Sequence, residues 1–146
     1  MRSGTQNVPG IVGCAAAIKN AGDNQPSFAA KACKMRDRLY EELAACKGVK
    51  PSVSVPADSG DFLPHIVNVC VRGHESQTLF LQLDLRGFCV SGGSACSSGS
   101  LDPSHVLSAI GIERNLAQGS LRVSFGEFTQ EEDVDAFLNA FKEVIR

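Results

Sequence analysis

Phe28, Ala32, Met35, Leu39, Leu43 and Cys46 recur at steps of three and four residues. That spacing lines one side of an α-helix. Gly48 follows, where a helix C-terminus favours glycine. Upstream, VPGIVGCAAAIKNA opens on a Pro-Gly turn signal and continues as a helix of small residues. Gly22 to Pro26 predicts a break or bend between the two stretches. SVSV (52–55) alternates as a short strand, ADSGDFLP (57–64) reads as a loop, and HIVNVCV (65–71) alternates again with β-branched residues. Leu79, Leu81, Leu83 and Leu85 have period two, but Phe80 fills the gap and Glu75 and Gln77 open the run. A helix closed by Gly87 fits better, and FCV (88–90) is then a short strand.

In LDPSHVLSAIGI, Asp102 is a suitable N-cap, Pro103 suits the first helical position, and Gly111 ends the helix. SLRVSF (120–125) sets Leu121, Val123 and Phe125 against Ser120, Arg122 and Ser124. TQEE (129–132) predicts a capping box of Thr129 with Glu132. Val134, Phe137, Leu138, Phe141, Val144 and Ile145 then form the stripe of a last helix. The order is helix, two strands, helix, strand, helix, strand, helix. It predicts a single α/β (α+β) sandwich domain over residues 1–146, with helices on a small antiparallel or mixed sheet.

Composition narrows the function classes. The chain has 146 residues, 43% hydrophobic and 21% charged, with a net charge of -2. It is long enough to bury a core without staples. No basic face points to nucleic acid. No apolar run approaches the roughly 20 residues that span a bilayer. The N-terminus lacks the apolar core of a signal peptide, which predicts a cytoplasmic protein. Six cysteines without a CxxC pair predict free thiols rather than zinc ligands or a disulfide scaffold. Cys14, Cys33, Cys46, Cys70 and Cys89 lie in apolar stretches and read as small buried hydrophobes.

Cys96 differs. It stands in VSGGSACSSGS, among residues too small and polar to bury it. An accessible thiol close in sequence to a helix start is either a reactive group or an incidental linker residue. His105 is the histidine nearest to it, a candidate base or an ordinary helix residue. Arg122, on the polar side of its strand, is either a bidentate grip for a carboxylate or one half of a surface ion pair. RSGT offers Thr5 and turn amides to a phosphate, or is a plain turn before a helix. No GxxxxGK[ST] or GxGxxG motif supports a nucleotide site.

RSGTQNVPGIVG, LPHIVNVCV, VSGGSACSSGSLDPSHVLSAIGI and GSLRVSFGEFTQEEDVDAFL occur in this order. Together they closely resemble the C-terminal part of cysteine desulfurases of the NifS/IscS type, pyridoxal-phosphate enzymes of the class V aminotransferase family. The resemblance runs from residue 2 to the end. It implies the small C-terminal domain of a fold-type I enzyme with its linking N-terminal helix. It implies that Cys96 takes sulfur from L-cysteine as a persulfide, with release of L-alanine, for iron–sulfur cluster assembly or other sulfur transfer. Arg122 matches the arginine that binds the substrate α-carboxylate. Thr5 matches the threonine that contacts the phosphate of the partner subunit's pyridoxal phosphate, which implies a homodimer. An iron–sulfur scaffold or another sulfur-acceptor protein is the implied partner.

The chain departs from the family pattern in places. Gly92 replaces a serine, Glu127 stands where arginine is common, and His65 where asparagine is common. The family's GHK-type segment with the Schiff-base lysine has no counterpart: Lys19, Lys31, Lys34, Lys47, Lys50 and Lys142 match no such segment. The resemblance therefore implies the C-terminal third of the enzyme, inactive by itself. The alternatives are a non-catalytic sulfur-relay or scaffold-interaction module, and a selenocysteine lyase fragment.

Overall fold

A computed structural model describes residues 3–57, 59–92 and 103–146. Eight elements follow one another: α1 (Val8–Ala44), β1 (Val49–Pro51), β2 (Ile66–Val71), α2 (Ser76–Asp84), α3 (His105–Ala109), α4 (Arg114–Ala117), β3 (Ser120–Ser124) and α5 (Glu131–Val144). The strands form one antiparallel sheet in the order β1-β2-β3.

The predicted stripe of α1 is the buried one. Ala32, Met35, Leu39 and Leu43 face the sheet and join Val67, Val69, Val71, Leu121 and Val123 in the core. Leu79 and Leu83 of α2, with Val134, Phe137, Leu138 and Phe141 of α5, close the same side. Phe137 stacks on Phe141 and meets the edge of Phe88. These three helices thus cover one face of the sheet, the α/β arrangement read from the pattern.

The expected break at Gly22–Pro26 does not occur; α1 is continuous across it. Proline removes one helical N–H and frees a carbonyl. Here the whole stretch is exposed, so water can take the freed carbonyl. The first half of α1 has no packing: Val8, Ile11, Val12 and Ile18 are all exposed.

The strand expected at 52–55 lies earlier, at Val49–Pro51. Pro51 is tolerated because β1 is an edge strand. Ser52 adds one last bond to the carbonyl of Asn68, and the chain then leaves the ladder. The strand expected at 88–90 shrinks to a single bridge between Ser91 and Arg122. The helix expected from Pro103 begins at His105, because Ser104 is still extended; Asp102 lies outside the described residues. The short α4 carries too few residues to show a period. The cap of α5 falls one residue later than expected: the Gln130 N–H donates to Asp133, while Thr129 Oγ1 accepts from the Gly126 N–H.

The loop 57–64 is pinned by a buried cation. Arg36 is fully buried and donates from Nη1 to the carbonyls of Ser59 (3.1 Å) and Phe62 (3.4 Å), and from Nε to Asp37. His65, one of the departures from the family pattern, sets its ring 5.9 Å from that of Phe28 where α1 first meets the body.

Lys142 of α5 reaches Glu42 of α1 at 2.7 Å. That bond holds the Glu42 carboxyl below its ordinary range and the Lys142 ammonium above its own. The depressed acid stabilises the fold above about 4.5, the ordinary value for Glu, and the gain is lost as pH falls through the lowered value. The raised base stabilises it below about 10.5 and the gain is lost as pH rises past the raised value. Both side chains are about two-fifths exposed, so salt screens the pair. Thermal melts should show Lys142→Met slightly destabilised at neutral pH in low salt, and level with the parent in high salt or at pH 2.

Candidate functional site

Strand alternation leaves the second face of the sheet polar. Asn68 and Cys70 of β2, and Ser120 and Arg122 of β3, point away from the main core. Register sets Asn68 opposite Arg122 and Cys70 opposite Ser120. One end of this face is covered: Cys70 packs with Leu107 of α3 and with Leu116 and Ala117 of α4. The other end carries Arg122.

Arg122 is flanked on its second side by Ser91. Their backbones exchange two hydrogen bonds, Ser91 N–H to the Arg122 carbonyl at 3.2 Å and Arg122 N–H to the Ser91 carbonyl. The side chain is half-buried, and its Nε is buried with no acceptor among the described residues. A buried donor left unpaired costs about 1–3 kcal/mol, more on a charged group, so such atoms call for an explanation. An incoming carboxylate would satisfy this one.

Cys96 lies outside the described residues. The two ends of its segment do not. Gly92 lies beside β3, its carbonyl accepting from Ser120 Oγ at 3.1 Å. On the far side, Pro103 leads into α3, whose Leu107 packs on the same face through Cys70. Both ends of the cysteine segment are therefore fastened to the face that carries Arg122. Cys96 is four positions along the chain from Gly92, a reach of at most about 14 Å.

Gly92 explains its own departure from the family pattern. A Cβ there would stand 2.9 Å from Phe80 Cζ and 3.4 Å from the Ser120 carbonyl oxygen. Gly92→Ser should cost about 1–2 kcal/mol in urea unfolding, because the Phe80 ring must swing aside. Phe80→Leu should remove most of that penalty, a coupling that a double-mutant cycle measures.

The other candidates are not brought to this face. Thr5 is exposed, ahead of α1, and roughly 36 Å of helix separates the start of α1 from its first buried residue, Ala32. Its hydroxyl takes no partner among the described residues. His105 is exposed at the first position of α3. The expectation of buried thiols holds for Cys70 alone: Cys14 and Cys89 are exposed, and Cys33 and Cys46 are half-buried. Apolar neighbours in sequence misled, because Cys14 sits on the unpacked half of α1 and Cys89 on a connection. Burial holds the Cys70 thiol above its ordinary range, so it stays protonated. All five described cysteines are free. Among the described residues no cluster could hold a metal, and no helix is long and apolar enough to cross a membrane.

Sequence reading missed Ser52, Asn68 and Ser120. Ser52 Oγ donates to Asn68 Oδ1, and Asn68 Nδ2 donates to Ser120 Oγ at 3.4 Å. The signal was present in part: Asn68 interrupts an otherwise apolar strand.

A family model described as aminotransferase class-V matches residues 1–137. A cysteine desulfurase IscS of Clostridium botulinum is 41% identical over 145 residues, covering 99% of this chain and 36% of its own length. A cysteine desulfurase IscS of Methanosarcina thermophila is 39% identical over 145 residues, which is 99% of this chain and 35% of that protein. A NifS-like protein structure aligns with a TM-score of 0.79 at 33% identity, over 99% of this chain and 35% of that one. A NifS-like protein from Rickettsia africae aligns with a TM-score of 0.78 at 28% identity, over 98% of this chain and 36% of that one. The chain thus spans about a third of the length of the curated relatives it matches.

Proposed function

Since the chain belongs to the class-V aminotransferase family, we propose that it is the C-terminal portion of a pyridoxal-phosphate-dependent cysteine desulfurase. The observation that carries this reading is the buried Nε of Arg122, without an acceptor among the described residues, on the face to which both ends of the Cys96 segment are fastened. A substrate with a carboxylate and a sulfur fits a guanidinium and a thiol within one tether's reach.

In this reading Arg122 pairs with the α-carboxylate of L-cysteine and fixes how the amino acid presents its sulfur. The same cation favours the thiolate of Cys96. That thiolate attacks the substrate sulfur. The S–S bond forms as the substrate Cβ–S bond breaks, Cβ takes up a proton to become the methyl of L-alanine, and the sulfur remains on Cys96 as a persulfide. Pyridoxal phosphate, when bound, supplies the sink for the electrons of the carbon–sulfur cleavage. Thr5 would hold its phosphate. An exposed hydroxyl that far along α1 from Arg122 suits a cofactor in the partner subunit of a homodimer. The Schiff-base lysine is assigned to the part of the relatives that this chain does not match, and the unpacked apolar face of early α1 to contact with that part. The matched third is then a small domain with its linking helix. The persulfide passes to an iron–sulfur scaffold or other acceptor protein, in the cytoplasm.

The chain alone, given pyridoxal phosphate and L-cysteine, should release no alanine above a Cys96→Ala control. Joined to the N-terminal two-thirds of the Clostridium botulinum relative, it should release alanine and carry added sulfur mass on Cys96. Cys96→Ala in that chimera should abolish both. A folded, cofactor-loaded chimera that releases no alanine overturns the proposal.

A further inference from the structure

Asn68 stands between two partners on the second face of the sheet. On one side Ser52 N–H donates to its carbonyl at 3.1 Å; on the other its register partner is Arg122. The ladder bonds from Val71 N–H to the Gly119 carbonyl and from Phe125 N–H to the His65 carbonyl leave Asn68 and Arg122 a non-hydrogen-bonded pair. In such pairs the Cα atoms are about 4.5 Å apart and the side chains are closest. The Asn68 amide is therefore the side-chain group directly across from Arg122, whose buried Nε–H needs an acceptor. Asn68 Oδ1 does not serve it; that oxygen takes the Ser52 hydroxyl instead.

Proton counting shows what turns the amide away. The Gly92 carbonyl can only accept, and Ser120 Oγ donates to it at 3.1 Å. Ser120 has one hydroxyl proton, so it must accept from Asn68, which presents Nδ2 at 3.4 Å. Ser52 gives its own proton to Asn68 Oδ1 and accepts from the Cys70 thiol at 3.5 Å. The amide is thus set with its nitrogen towards β3 and its oxygen towards β1. Ser52 and Ser120 are buried, so water does not compete freely for these bonds. The consequence falls on Arg122: the group opposite it shows a donor, and its Nε–H stays without an acceptor among the described residues.

We propose that Asn68 is a positioning residue for Arg122: held by Ser52 and Ser120, its amide withholds the oxygen across the strand pair and so keeps the guanidinium open to an incoming carboxylate. The inference rests on the reading of Arg122 as a carboxylate grip. An amide oxygen free to turn would take the Nε–H and compete with every carboxylate that arrives.

The test uses the 146-residue chain itself, with acetate as the probe. Nitrogen-15 NMR resolves each arginine Nε–H, and Arg122→Met identifies the resonance of Arg122. In the parent that resonance should move downfield as acetate is added and then saturate, as an N–H does on gaining an acceptor. Ser52→Ala removes the donor that holds Asn68 Oδ1. The resonance should then lie downfield before any acetate is added, and acetate should bind about fivefold more weakly. Ser52→Thr keeps the hydroxyl and should bind as the parent does. Adding Asn68→Ala to Ser52→Ala takes the competing oxygen away and should restore the parent affinity, a rescue that mere loosening of the sheet would not give. If Ser52→Ala fails to melt cooperatively, Ser120→Ala and its double variant with Asn68→Ala decide, since losing the Ser120 acceptor frees the same amide to turn.

An Arg122 resonance that ignores acetate in the parent overturns the carboxylate grip, and with it the functional reading. A saturating response that is the same in Ser52→Ala, or a weakened one that Asn68→Ala does not restore, overturns the positioning role and leaves that reading standing.

Discussion

Gly119→Ala is expected to abolish cooperative folding of the chain. A Cβ at Gly119 would stand 2.0 Å from the carbonyl oxygen of Val71 and 2.9 Å from that of His74. Both are backbone atoms, so no side chain can turn aside. The segment cannot simply retreat either, because the Gly119 carbonyl accepts the Val71 N–H at 2.9 Å and starts β3 in register with β2. The loss should be at least about 4 kcal/mol, a size that single substitutions reach only through such steric conflict or its like. Gly87→Ala is the control. Its φ of +88° makes the substitution a conformational cost alone, with nothing near the added carbon. That should be about 1–2 kcal/mol. Urea unfolding followed by circular dichroism separates the two. A Gly119→Ala variant with the parent's midpoint would show that β3 does not pack as described.

Arg122→Met should cut kcat/KM for L-cysteine about a hundredfold in the chimera with the relative's N-terminal portion, roughly 2.7 kcal/mol of lost stabilisation. Methionine keeps the aliphatic bulk between Asn68 and Ser91, so the sheet should survive and the melt should shift little. Most of the loss should fall on KM if the guanidinium grips the carboxylate equally in the ground and transition states, and on kcat if it mainly aligns the sulfur. Unchanged kinetics would remove Arg122 from the site. The two substitutions lie three residues apart and act on different properties, one on whether the strand can form and the other on what it presents.

The elements were legible wherever a period ran long enough. The stripe from Ala32 to Leu43 and that from Val134 to Phe141 are buried as expected, since a helix face is set by spacing along the chain. The strands at 66–71 and 120–124 were legible for the same reason. The errors cluster where a neighbour decides. Pro51 argues against a strand until β1 is seen to lie at an edge. Pro26 argues for a break until that turn is seen to be exposed. Cys14 and Cys89 keep apolar company in sequence but meet no packed surface in space. The Asn68–Ser120–Gly92 chain joins residues 52 and 28 positions apart, and no local pattern announces it.

By itself the sequence determined the α/β class, the faces of the long helices and the family motifs around Cys96 and Arg122, because each depends on residues a few positions apart. Only the tertiary structure decided that Arg122 has a buried donor unmatched among the described residues and that a side chain at Gly92 would press on Phe80. It alone brought both ends of the cysteine segment onto one face. Those facts follow from strand register and from where α3 and α4 cross the sheet. Long-range packing sets both, and chain periodicity does not encode them.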